Sequence, residues 1–136
     1  MSEGNLSLAP GLLEDVIAHA RQCYPREGCG LLSGRQVATR FIPVENSAAG
    51  ETAYEMDPAQ LINALRGLRD DGEDLIAIYH SHPKGPPQPS RSDIERAYYP
   101  EAAHLIVSLS ELERPRAAAF RIIDGEALEI EVHVIV

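Results

Sequence analysis

The run LIAIYHSH, residues 75–82, constrains this chain more than any other feature. A continuous apolar stretch of this length reads as a strand buried on both faces. Such a strand needs a paired neighbour on each edge and a covering layer over each face. That requirement selects an α/β architecture with a mixed sheet. The run ends in His80-Ser81-His82, and residues i and i+2 of a strand point to the same side. Two imidazoles are therefore delivered into one space at the end of a buried strand.

The remaining sequence supplies the neighbours. Pro10 to Cys23 predicts a helix with Leu12, Leu13, Val16, Ile17 and Ala20 on one face, closed by Pro25. CGLLSG (29–34) and VATRFIPVEN (37–46) predict two strands. AYEMDP leads into a second helix, with Asp57 as N-cap, Pro58 at N1 and Gln60 at N3. SDIERAYYP predicts a short helix ended by Pro100. Three strands follow (104–110, 117–123 and 127–136), the last two joined by the hairpin turn Asp124-Gly125. The chain is expected to form a single domain over residues 1–136, with residues 1–8 as a flexible tail.

Composition removes several functions. The net charge of −9 repels phosphate, so nucleic acid and anionic membranes are poor partners. The opening residues carry neither a basic start nor a long apolar run, and no segment approaches the ~20 apolar residues of a membrane span, so a cytoplasmic protein is expected. Cys23 and Cys29 make neither a disulfide framework nor a CxxC pair. A chain of 136 residues buries enough surface to fold without a structural metal, so a metal here would serve chemistry.

After His82 come seven residues, Pro83 to Pro89, with four prolines that leave few conformations to lose, and then Ser90 and Asp93. If this segment folds back, Asp93 becomes a third ligand beside His80 and His82. Zinc takes such nitrogens at about 2.0–2.1 Å and carboxylate oxygens at about 2.0–2.2 Å, and three protein ligands leave a fourth place for water. Hydrolysis then needs a carboxylate near the metal but not on it. Glu27, at the entry of the CGLL strand, is the candidate. Ser90 is a candidate hydrogen-bond donor to a developing oxyanion. Each residue also has a plainer reading. An HxH pair can be two solvated imidazoles at a strand end, and Glu27 can be a surface acid. Ser90-Arg-Ser-Asp93 matches a helix capping box, as does Ser92-Asp-Ile-Glu95; with Ser92 as the cap, Ser90 stays free for the site.

Taken together, His80-Ser81-His82, seven residues beginning with Pro83, Ser90, two residues and Asp93 resemble the signature of the JAMM (MPN-plus) metalloproteases. PREGCGLLSG is similar to that family's glutamate-bearing strand, with Glu27 in the glutamate place, and PVEN and YEMDP follow its order of elements. The resemblance spans roughly residues 10–135. It implies a cytidine-deaminase-like fold, a curved mixed sheet packed between helices. It also implies one zinc held by His80, His82 and Asp93, Glu27 as general acid and base, and Ser90 as oxyanion donor. Six residues separate Asp93 from Pro100, leaving no room for the insertions of eukaryotic deubiquitinases. The chain looks like the minimal prokaryotic type, linked to ubiquitin-like or sulfur-carrier β-grasp proteins ending in Gly-Gly. Such a tail is expected to add as a strand beside the site.

The alternatives are a deaminase and a non-catalytic zinc-binding MPN interaction module. The deaminase needs a PCxxC that is absent. A DNA-repair branch of the family is disfavoured by Ser81 between the histidines and by the lack of a basic patch. Cys29 is read as a buried strand thiol and Cys23 as core. His19, His104 and His133 are read as structural or surface groups. Lys84, Tyr98 and Tyr99 are placed near the substrate groove, with solvent or core as the plainer reading for each.

Overall fold

The computed structural model describes residues 4–51 and 53–135. In chain order the elements are β1 (Asn5–Leu8), α1 (Leu12–Cys23), β2 (Cys29–Arg35), β3 (Val37–Val44), α2 (Pro58–Asp70), β4 (Asp74–His82), α3 (Arg91–Glu95), β5 (Ala103–Ser108), β6 (Arg116–Ile123) and β7 (Glu126–Val134). The strands run β1-β3-β2-β4-β5-β6-β7, and β1 pairs with β7 to close the sheet. The β4/β5 pair and both pairings of β1 are parallel; the others are antiparallel. This is the α/β fold with a curved mixed sheet that the sequence predicts.

The expected tail is corrected in part. Asn5–Leu8 is a strand, with Leu6 and Leu8 buried and Asn5 and Ser7 only half-buried. That alternation drops two leucines into the core and holds β1 between β7 and β3. Residues 1–3 lie outside the described residues.

β4 is the central strand, between β2 and β5, as its apolar run requires. Its two faces meet different helices. Ala77 and Tyr79 join Leu32, Leu105 and Val107 in one core cluster with Leu12, Val16 and Ala20 of α1. Ile78 packs on the opposite face with Leu31, Val44 and, from α2, Leu61 and Leu65. The stripe Leu12-Val16-Ala20 has helical spacing and carries α1 into the curl of the sheet. Burying Leu12 or Val16 contributes ~1.5–3 kcal/mol each; an aspartate at Val16 would undo that face.

Turn chemistry matches the sequence. Asp57 accepts a hydrogen bond from the Gln60 amide at 3.0 Å, with Pro58 opening α2. Asp124 and Gly125 both have positive φ, 53° and 78°, as a two-residue hairpin turn demands. α1 starts at Leu12 rather than Pro10, because Gly11 takes a left-handed φ of 82°. No helix among the described residues is long and apolar enough to cross a membrane.

Candidate metal centre

The alternation of β4 places His80 and His82 on the face of Ile78, at the strand's C-terminal end. His80 Nε2 and His82 Nε2 are 3.1 Å apart. The segment after them turns back as expected, and Asp93 Oδ2 lies 3.0 Å from each Nε2. Three donor atoms thus form a nearly equilateral triangle. A tetrahedral zinc bonded at about 2.0–2.2 Å spaces its donors roughly 3.3–3.6 Å apart, so small adjustments seat one ion on all three.

The outer contacts orient this set. His82 Nδ1 is 2.8 Å from the Pro86 carbonyl oxygen, which places a proton on Nδ1 and orients the ring with Nε2 toward the triangle. The proline-rich loop therefore supplies the acceptor that holds the His82 ring. The loop is tied down in turn by Ser108 Oγ, which donates to the Gly85 carbonyl at 2.6 Å. His80 is almost fully buried, and Tyr54 stacks on it at 4.6 Å between ring centroids.

Electrostatics suit cation binding. Burial holds His80 below the usual imidazole range, so its lone pair is available. Burial also disfavours the charged form of His82, but hydrogen bonds to Asp93 and the Pro86 carbonyl outweigh it and raise that ring. Burial pushes Asp93 up, yet the hydrogen bonds from His80 and His82 win and keep its carboxyl well below the ordinary range. The triangle therefore contains a firm anion.

Glu27 stands one step back. One of its carboxylate oxygens lies within 4.8 Å of a ring nitrogen of each histidine. Spacing alone would let Glu27, rather than Asp93, complete a three-residue metal cluster. Two facts favour Asp93 as the ligand: the 3.0 Å contacts, and its ionisation. Glu27 is 6% exposed, and burial pushes its carboxyl up to about 7, with His82 lowering it and Asp93 raising it further. A buried carboxyl with raised proton affinity beside the triangle is placed to exchange a proton with a group bound there.

Ser90 settles the competing capping boxes. It, and not Ser92, is the N-cap of α3: Ser90 Oγ accepts from the Asp93 amide at 3.0 Å, and Asp93 Oδ2 accepts from the Ser90 amide at 2.8 Å. The cap uses only the lone pairs of the hydroxyl. Its hydrogen stays available to donate, so cap and site do not exclude each other.

A cavity of ≈ 260 Å³ opens beside the triangle, lined by Ser90, Asp93, Tyr54, Tyr98, Tyr99 and His104 together with Leu31, Met56, Leu61 and Ile78. Tyr98 is exposed, while Tyr99 also packs against the core. Lys84 is solvated, 3.7 Å from Glu51. Cys29 is buried beside the site and donates to the Val44 carbonyl at 3.3 Å, and burial lifts its thiol to about 12. Cys23 is half-buried against His19, whose Nδ1 is 3.1 Å from the Tyr79 hydroxyl. His133 sits on the surface with Glu131. β1 covers β3 at Ala38 alone, so among the described residues the edge of β3 from Thr39 to Val44, on the side away from β2, has no strand partner.

Sequence reasoning missed Tyr54, Asn46 and the coupling role of Ser81. Ser81 Oγ accepts from the Gly28 amide at 2.7 Å, and the Ser81 amide donates to the Gly28 carbonyl at 2.9 Å. The residue between the two histidines thereby clamps the peptide next to Glu27. Strand parity, which turns Ser81 away from the ligand face, was the available signal.

The pattern of the prokaryotic homologues of the JAB domain matches residues 10–123. The CysO-cysteine peptidase of Mycobacterium tuberculosis is 33% identical over 133 residues, 96% of this chain and 91% of that protein. The desampylase of Haloferax volcanii is 38% identical over 116 residues, 79% of this chain and 84% of that protein. The solution structure of a Desulfitobacterium hafniense protein superposes with a TM-score of 0.85 at 32% identity, covering 96% of this chain and 92% of that one.

Proposed function

The chain belongs to the family of prokaryotic JAB-domain homologues, and from that membership we propose that it is a cytoplasmic zinc-dependent peptidase or isopeptidase. Its substrate is a ubiquitin-like or sulfur-carrier protein, cut after a C-terminal Gly-Gly. One observation carries the reading: the His80–His82–Asp93 triangle at 3.0–3.1 Å with a near-neutral carboxyl, Glu27, held beside it. The names of the relatives point to the same class, a peptidase and a desampylase, and so to a small protein carrier as substrate.

His80, His82 and Asp93 would hold the metal. Zinc there would supply Lewis acidity and make water a stronger acid near neutral pH. Glu27 takes a proton from the attacking water and passes it to the departing amine, a double duty that suits a carboxyl near 7. The Ser90 hydroxyl donates to the oxygen that gains charge as the carbonyl is attacked. The glycine tail lies against the walls of the adjoining cavity, which Ser90, Asp93 and Tyr54 help to line.

The test is incubation with Gly-Gly-tailed β-grasp carriers bearing a C-terminal residue or an isopeptide-linked lysine, with and without chelator, read by intact mass. Cleavage after Gly-Gly that chelator abolishes is expected. Zinc-loaded protein that leaves every such conjugate intact would instead identify an interaction module.

A further inference from the structure

We propose that Asn46 is a positioning residue for the general base, through one side-chain amide that ties Glu27 to the chain segment covering His80. The proposal rests on the role assigned to Glu27 above.

Asn46 lies just past the end of β3, half-buried, and its amide is fully used. Nδ2 donates to the Glu27 carbonyl at 2.9 Å and to the Ala53 carbonyl at 3.1 Å. Oδ1 accepts from the Ala48 amide at 2.9 Å and from the Glu55 amide at 3.0 Å. A primary amide offers two donors and two acceptor lone pairs, so no capacity remains. The pattern also fixes the orientation, since a flipped amide would set oxygen against two carbonyls and NH₂ against two N–H groups.

The partners give the bonding its meaning. Glu27 carries the carboxyl beside the metal triangle. Ala53 and Glu55 flank Tyr54, the ring stacked on His80. One side chain thus holds the base from one side and the cover of a ligand from the other. The N–H of the Glu27–Gly28 peptide, on Gly28, donates to the Ser81 hydroxyl, and the carbonyl of the following peptide accepts from the Ser81 amide. The Glu27–Gly28 stretch belongs to no strand and borrows its rigidity from these two residues. A catalytic group tolerates about 0.5 Å of misplacement, and 1 Å can cost ~10²-fold in rate.

The amide does not touch the triangle, so its loss should spare zinc binding. Asn46→Ala removes all four bonds. Asn46→Asp keeps the acceptor for Ala48 and Glu55 but loses both donors, and it remains informative if the alanine variant folds poorly. Both should hold full zinc. Both should lose ~10²-fold in kcat with KM little changed. In a Glu27→Gln background the same substitutions should cost less than about threefold, because a residue acting through Glu27 has nothing left to position. Additive losses, or a wild-type kcat in Asn46→Asp, would overturn the assignment. A readout independent of activity is amide hydrogen exchange at Gly28 in zinc-loaded protein. It should quicken at least ~10-fold in Asn46→Ala; unchanged exchange refutes the tether. A wild-type protein that cleaves nothing, with Gly28 exchange still quickened in Asn46→Ala, would sink the peptidase reading and leave the tether standing.

Discussion

Replacing Glu27 with glutamine should stabilise the metal-free protein while ending its activity when loaded, and the gain should depend on pH. Burial raises the Glu27 carboxyl from 4.5 to about 7 in the folded chain. In the unfolded chain it titrates at its ordinary value. The folded state therefore holds a proton that the unfolded state has released, across the window between these two values. Stability from this group is fully present below pH 4.5 and is lost as pH rises through 7. Each tenfold difference in proton affinity is worth about 1.4 kcal/mol, so the cost is ~1 kcal/mol at pH 5 and ~3 kcal/mol at pH 8. Glutamine keeps the shape, cannot ionise and escapes that cost. The assay is urea unfolding in the presence of chelator, wild type against Glu27→Gln, at pH 5 and pH 8. The barrel core contains no side chain of the metal triangle, so chelated protein should remain folded. The stability gap should widen by ~2.5 kcal/mol between the two pH values, an order-of-magnitude figure. His82, which Glu27 helps to raise, titrates lower in the variant, so the gap reports Glu27 together with its coupling to His82 and Asp93. A gap that stays constant with pH would refute the argument that burial poises Glu27. Zinc-loaded Glu27→Gln should retain its metal and lose ~10²–10⁴-fold in rate.

His80→Ala, His82→Ala and Asp93→Ala should each bring zinc content well below the roughly one ion per chain expected of the wild type; full occupancy in all three by elemental analysis would discard the site. Ser90→Gly should separate the cap from the chemistry: glycine at an N-cap costs only a few tenths of a kcal/mol, whereas loss of the hydroxyl should lower kcat by ~10²–10³-fold. A small melting shift with wild-type kcat would make Ser90 a cap and nothing more. Gly28→Ala places a methyl 2.6 Å from the hydroxyl of fully buried Tyr79, so the backbone beside Glu27 must move. Such a variant should keep zinc and lose at least ~10-fold in kcat, read by metal content and rate together.

The fold was legible wherever one element carried its own signal. The β4 run, the α1 stripe, the Asp57-Pro58 start and the Asp124-Gly125 turn all declare themselves locally. β1 was not legible, because NLSL offers two buried residues and its partners lie over 120 positions away in β7 and about 30 away in β3. Closure of the sheet depends on that strand, so the barrel was invisible along with it. The site divides the same way. His80, His82, Ser90 and Asp93 fall within fourteen consecutive residues and could be read as a spacing. Tyr54 and Asn46 act through stacking and hydrogen bonds to residues far along the chain, and nothing in AYEMDP or PVEN fixes those contacts.

The two readings of Ser90 and Asp93 describe one device. From spacing alone, a capping box and a metal ligand compete for the same side chains. In the structure, Asp93 Oδ2 accepts from the Ser90 amide and, with the same oxygen, faces both imidazoles. The reciprocal cap fixes where α3 begins, and α3 thereby fixes where the Asp93 carboxylate stands beside the two imidazoles. A five-residue helix has little stability of its own, so the ligand contacts and the cap hold it in place together. Charge makes the coupling mutual: an ionised Asp93 accepts from the Ser90 amide, and in the metal-free chain hydrogen bonds from the two histidines help to keep it ionised. Helix start, ligand placement and anion are consequently set by one pair of residues three positions apart.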